Sequence, residues 1–475
     1  MEQIIIKDYE TSDSRVNFGQ VIQAGIVITD DKLNIKNKLE LRCRLKPNVI
    51  PSIGASLVHG SSVDQLKNHN KSHYEMVMEH YKFIKANTPS FISGFNNIAF
   101  DLEFTRRMYF KSLIPDFYQT NTKGNKHLDI LNVARASKFA DENALKTKLS
   151  EKGRPSFKLV DLCEANSIDN GTSHDAMTDC LNTIAVAEII YKKTNHIWRD
   201  ALITTNKIDT ATFILKNKVY TSLEYFYGRS VAFACHYLFD HPEYTGWAIN
   251  WDVKVDPTNY LEMDRKTLSK AIDSSPKILR TVRTNKSPVL LKADYALKTS
   301  NYLKISKEEI DRRVKILDNS PKFIELIKSI LSDKAKEKMS MDQSELLFEE
   351  TLYSGGYQPN QKDKNLMWKF HDVDWKEKVN LIDKFSEERF QYFAECLIYE
   401  ESPGDLPKSI YNKIHRNFAE RLLSTNKEKW ETTASFFTEV DTLRETKYKD
   451  NPEMLKIIDG YDKHVQEIKS RFENA

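Results

Sequence analysis

IIIKDYET, residues 4–11, joins an apolar run to two acids spaced two apart, Asp8 and Glu10. On a β-strand that spacing points both side chains to one face. Paired carboxylates on a buried sheet repel each other unless a cation neutralises them, whereas at an exposed strand end they are simply solvated. Reading outward, Ile4–Asp8 is a short strand. Val21–Thr29 and Lys38–Leu45 are alternating runs joined by a polar turn around Asp30–Asn37. A helix follows over about Ser72–Asn87, then a strand at Phe91–Gly94. Further helices are predicted at Leu102–Phe110, Asp129–Phe139, Leu159–Asn166 and Asp175–Tyr191. Three early strands in a row, then alternation with helices, give an α/β unit with a mixed sheet.

Three more residues extend the acid pair: Asp101 in NIAFD, then His174 and Asp179 in SHDAMTD. Taken singly, each has an ordinary explanation. Asp101 is a good helix N-cap, and a lone histidine is usually structural or solvated. Together and in this order, four carboxylates and one imidazole match a two-metal phosphodiester hydrolase. Such an enzyme holds two divalent ions roughly 3.5–4 Å apart and needs a base for the attacking water. His69, His73 and His80 also share one helical face, but no fourth ligand accompanies them, so a solvated helix is expected there.

The chain has 475 residues, enough for two or three domains. Its hydrophobic fraction of 40% and charged fraction of 29% are those of a soluble globular protein. The opening MEQIIIKDYE does not read as a signal peptide, and no apolar run is long enough for a membrane span. Five scattered cysteines without a C-x-x-C pair suggest reduced thiols in a cytoplasm. Net charge is only +3, from 71 basic and 68 acidic residues, so nucleic-acid binding requires a segregated basic groove. From about Asn195 to Asp342, Val219–Tyr227, Val231–Leu238, Gly246–Asn250 and Leu279–Arg283 read as a small β structure. Helices at Arg265–Ala271, Lys307–Leu317 and Pro321–Ser332 decorate it. Tyr353–Lys364 is read as a loop, and Trp368–Ala475 as a helical domain.

Several stretches carry a family resemblance: DYET, FNNIAFDLEFTRR around Asp101, LDILNVARA (Leu128–Ala136), RPSFKLVDLCEANSI (Arg154–Ile168) and SHDAMTDCLNTIAVA (Ser173–Ala187). TNKSPVL (Thr284–Leu290) adds a weaker match. On these the chain resembles the DEDD exonuclease superfamily, of the histidine-base (DEDDh) subtype on a ribonuclease H-like fold. More narrowly it is similar to the bacterial exodeoxyribonuclease I family. The resemblance implies an exonuclease domain over residues 1–194, an SH3-like domain over 195–348 and a C-terminal helical domain over 349–475. It implies that Asp8, Glu10, Asp101 and Asp179 hold two Mg²⁺ ions, with Mn²⁺ as a substitute. Glu10 would also lie near the terminal nucleotide, and His174 would be the general base. Arg106 and Arg135 match positions that line the DNA path. Lys158 stands where relatives carry arginine, which keeps the charge but loses the bidentate fork.

The implied activity is 3′→5′ hydrolysis of single-stranded DNA to nucleoside 5′-monophosphates, in DNA repair and recombination. The implied protein is a cytoplasmic monomer that meets single-stranded DNA and single-stranded DNA-binding protein, and no membrane. Single strands are gripped by backbone charge and aromatic stacking. Candidates for those contacts are Phe117 and Tyr118, then Arg280, Arg283 and Lys286, and the cluster Arg312, Arg313 and Lys315. Two rivals remain: an enzyme acting on RNA ends or in proofreading, and an inert single-strand-binding protein on a nuclease fold.

Overall fold

The computed structural model describes residues 3–169, 171, 174–341, 346–354 and 358–474. Its first sheet is mixed, as expected. The strands are β1 (Ile4–Thr11), β2 (Val21–Thr29), β3 (Ile35–Arg42), β4 (Phe91–Gly94) and β5 (Lys126–Asp129), in the order β3-β2-β1-β4-β5. β1 pairs antiparallel with β2 and parallel with β4, and β5 continues the parallel side. β1 runs past Asp8 to Thr11, with a register shift between Glu10 and Thr11. β3 lies earlier than Lys38–Leu45 because it is an exposed edge strand whose burial sets little pattern. β5 (KHLD) is too short and polar to read as a strand, yet it closes the opposite edge.

Helices α1 (His73–Ala86), α2 (Asp101–Lys111), α3 (Ile130–Ala140) and α4 (Ala176–Lys193) fall where periodicity placed them. α4 packs across β1 and β2. It can do so because β2 carries Gly25: a Cβ there would come within 2.4 Å of the Ala176 carbonyl oxygen. With its helices, this sheet is the ribonuclease H-like arrangement.

The second sheet is antiparallel. It consists of β6 (Tyr220–Phe226), β7 (Arg229–Asp240), β8 (Trp247–Asp252), β9 (Leu279–Arg283) and β10 (Leu290–Lys292), in the order β10-β6-β7-β8-β9. This is the SH3-like unit, extended by one unforeseen three-residue strand, β10. Helices at Arg265–Asp273, Lys307–Asp318 and Pro321–Met341 flank it. The expected loop at Tyr353–Lys364 is corrected in part. Asn360 accepts the Asp363 amide at 2.9 Å and starts a helix over Gln361–Asp372, while residues 355–357 lie outside those described. The remaining chain is helical. No described helix is long and apolar enough to cross a membrane.

The largest apolar core joins Tyr9, Ile53, Phe104 and Phe110 of the first unit to Phe370, Phe393, Phe436 and Phe472 of the C-terminal helices. The expectation of a solvated histidine face on α1 is overturned. His73 and His80 are buried, because the face they share with Val77, Tyr81 and Ile84 is the one α1 turns inward.

Candidate active site

Alternation along β1 puts Asp8 and Glu10 on one face, half-buried, opposite Gly25 and Gln23 of β2. Asp179 sits in the first turn of α4. Ligand oxygens of Asp8, Glu10 and Asp179 all lie within 4.8 Å of one another. Asp101 opens α2 beside them and is buried; its Oδ1 has no hydrogen-bond partner among the described residues. The four acids therefore converge, although only three meet within that mutual distance.

Their electrostatics show the strain of close negative charges without a counter-ion. Burial, then repulsion from Asp101, Asp179 and Glu10, holds the Asp8 carboxyl well above the usual range. Burial and repulsion from Asp179 and Asp101 push Glu10 up to about 8. Burial raises Asp101 to about 7 even though Lys7 opposes the shift. Asp179 is raised by burial and eased by the nearby His174 imidazole and an Asn182 hydrogen bond. An orphaned carboxylate oxygen, hard oxygen donors and mutual repulsion are the features of a divalent-cation site.

His174 is exposed, in a left-handed turn (φ +63°) immediately before α4. Its neighbour Asp175 caps α4, accepting the Thr178 amide at 3.0 Å. The other Asp175 oxygen takes Gln23 of β2 and Arg42 of β3, both at 2.7 Å. Gln23, Arg42 and Asp175 thereby tie the start of α4, and the histidine ahead of it, to the sheet. Asp129 does the same for the loop before Asp101. Its carboxylate accepts the amides of Asn96 and Leu131 at 3.0 Å and of Ile98 at 3.4 Å. Sequence reading assigned none of these supports. Asp129 sits inside a quoted motif, but its partners are set by the fold.

The expected substrate contacts divide. Arg135 and Lys158 line a cleft of about 550 Å³ between the first unit and the β6–β7 hairpin, together with Lys152, Arg154, Phe157 and Tyr225. The Arg135 guanidinium lies 3.7 Å from the Tyr225 ring centre. Arg106 is largely buried, and its fork donates to Glu103 (2.9 Å), Tyr353 (3.0 Å) and Asn121 (2.6 Å). Phe117 and Tyr118 are buried and packed edge-on, with Phe117 also against Phe110. Arg280 is held over Phe233 and beside Glu224 and Asp252. Arg312 and Arg313 pair with Glu309. Arg283 remains exposed. Sequence reading missed the exposed aromatics Phe226 and Tyr227, the latter 80% exposed at the hairpin tip. Their signal was the Gly228 turn, which ends the strand there.

Comparison with known proteins agrees with this geometry. The exonuclease family profile matches residues 5–187, and that of the exonuclease I SH3-like domain matches residues 206–333. Exodeoxyribonuclease I of Escherichia coli (strain K12) is 26% identical over 345 residues, covering 69% of this chain and 72% of that protein. Exodeoxyribonuclease I of Buchnera aphidicola subsp. Schizaphis graminum is 24% identical over 473 residues, covering 96% and 91%. The crystal structure of E. coli exonuclease I with a dA16 oligonucleotide superposes with a TM-score of 0.83 at 21% identity, covering 98% of this chain and 100% of that one. An acid cluster on a ribonuclease H-like sheet, matched by the exonuclease profile, defines a DNA exonuclease. The SH3-like unit and the relatives narrow this further: the chain is similar, over most of its length, to exodeoxyribonuclease I proteins.

Proposed function

We propose that the protein hydrolyses single-stranded DNA from its 3′ end, releasing nucleoside 5′-monophosphates, with two Mg²⁺ ions held by Asp8, Glu10, Asp101 and Asp179. The observation that carries this is the convergence of Asp8, Glu10 and Asp179 oxygens within 4.8 Å, next to the orphaned Oδ1 of Asp101. When bound, the cations supply Lewis-acid activation of water and charge stabilisation at the leaving oxygen, and Mn²⁺ can substitute. His174 takes the proton of the attacking water; its exposed position before α4 lets the ring reach that water from solvent. Glu10 borders the terminal nucleotide.

Arg135, Lys152, Arg154 and Lys158 receive the phosphates that follow, with Tyr225 and Tyr227 as stacking surfaces. A solved relative bears the name of a complex with oligonucleotide dA16, and another that of exonuclease I with SSB-Ct. Single-stranded DNA and the single-stranded DNA-binding protein are accordingly the partners proposed here, for a monomer acting in repair and recombination. Five buried free thiols suit a reducing cytoplasm.

The test uses 3′-labelled and 5′-labelled single strands of DNA and RNA with Mg²⁺, repeated with EDTA and with Asp179→Ala. Mononucleotides released from DNA 3′ ends only with Mg²⁺ and the intact acid are expected. Digestion of RNA alone would overturn the substrate, and tight binding without metal-dependent cleavage would make the protein an inert binder.

A further inference from the structure

Lys7 and Tyr9 alternate with Asp8 and Glu10 and so face the opposite side of the sheet. Lys7 is fully buried. Its ammonium donates to Thr105 Oγ1 at 2.7 Å and to the Tyr9 hydroxyl at 3.2 Å. Thr105 lies one turn beyond Asp101 on α2 and donates to the Asp101 carbonyl oxygen at 2.7 Å. The Tyr9 hydroxyl also meets Thr105 Oγ1 at 2.8 Å and His80 Nε2 at 2.7 Å, while His80 Nδ1 meets the Tyr109 hydroxyl at 2.7 Å.

Counting hydrogens leaves one arrangement. Thr105 has a single proton and gives it to Asp101, so it accepts from both Lys7 and Tyr9. Tyr9, having donated to Thr105, accepts from Lys7 and from His80 Nε2–H. His80 Nδ1 then accepts from Tyr109. The chain of hydroxyl and imidazole protons runs one way: Tyr109 to His80 to Tyr9 to Thr105 to the Asp101 main chain. Burial holds His80 in its neutral form, which this tautomer requires.

We propose that His80, Tyr9, Thr105 and Lys7 are positioning residues that lock the first turn of α2 onto β1, and so set Asp101 at the spacing from Asp8 and Glu10 that the cations need. The inference rests on the two-metal reading above and extends it to the far side of the sheet.

Thr105→Val tests this, because it keeps the shape and removes the hydroxyl. The Mg²⁺ concentration for half-maximal hydrolysis of a 3′-labelled single strand is expected to rise roughly 10–100-fold, as for other residues that orient metal ligands. KM for the strand should stay within about twofold, and Thr105→Ser should restore the wild-type requirement. Tyr9→Phe, which removes a hydroxyl from the same chain, should shift the metal requirement in the same direction. Ser137→Ala is the structural control, since it deletes a buried hydroxyl pair with Thr194 (2.8 Å) on α3 and should leave the requirement unchanged. A wild-type metal requirement in Thr105→Val and Tyr9→Phe, or an equal shift in Ser137→Ala, overturns the positioning role alone. Wild-type hydrolysis that persists in EDTA overturns the two-metal reading and this inference with it.

Discussion

Burial, with repulsion from neighbouring acids, holds Asp8, Glu10, Asp101 and Asp179 away from their ordinary ionisation, and that has a measurable consequence. Glu10 raised to about 8 and Asp101 to about 7 keep protons in the folded, metal-free protein that the unfolded chain has already released. The folded state therefore binds more protons between about pH 4.5 and 8, so its stability falls as pH rises through that window. The melting temperature of chelator-treated protein is expected to drop between pH 6 and 8, and excess Mg²⁺ should largely remove the drop. Calorimetric or fluorescence melts across that range check it. At the base, His174→Ala should lower the single-turnover rate by a factor on the order of 10²–10⁴ with metal binding retained. An unchanged rate would remove the imidazole from proton transfer. At the same scale, Phe117 and Arg106 have the chemistry for a strand contact, and the fold surrounds each with partners from other elements.

β2 and α4 meet through Gly25, and here one methyl group should disturb a whole element. Gly25→Ala would drive Cβ into the Ala176 and Met177 backbone and push the start of α4, with Asp179, off the sheet. A loss of about 1–3 kcal/mol in unfolding free energy is expected. Hydrolysis should fall out of proportion to the folded fraction, read from paired denaturation and rate measurements. The β6–β7 hairpin forms one wall of the basic cleft, opposite Arg154 and Lys158. If Lys158 neutralises one phosphate there, Lys158→Ala should reduce the slope of log affinity against log salt for single-stranded DNA by about 0.7. An unchanged slope would place the strand elsewhere. Strong periodicity made α1, α2, α3 and α4 legible, whereas β5 and β10 are short and owe their pairing to neighbours far along the chain.

The C-terminal helices share their core with the first unit. Phe110 of α2 packs against Phe393 at 4.9 Å between ring centres, and the Tyr118 hydroxyl donates to the Leu352 carbonyl. Tyr461 reaches back to the Ser61 carbonyl. A chain ended after residue 341 would bare that apolar face. Such a chain is expected to aggregate or to elute as large species on size exclusion, and a stable, active monomer would show that the helices are dispensable to the fold.

Residue types and short spacings were enough to identify the mixed sheet, the acid order and the histidine ahead of Asp179, because strand alternation and helix periodicity are local properties of the polymer. Exposure and pairing are not local. Whether an arginine is free or braced, whether an aromatic ring is a platform or core, and how Lys7 and His80 support the acids all depend on groups dozens to hundreds of positions away. Only the folded chain brought those partners within hydrogen-bonding distance.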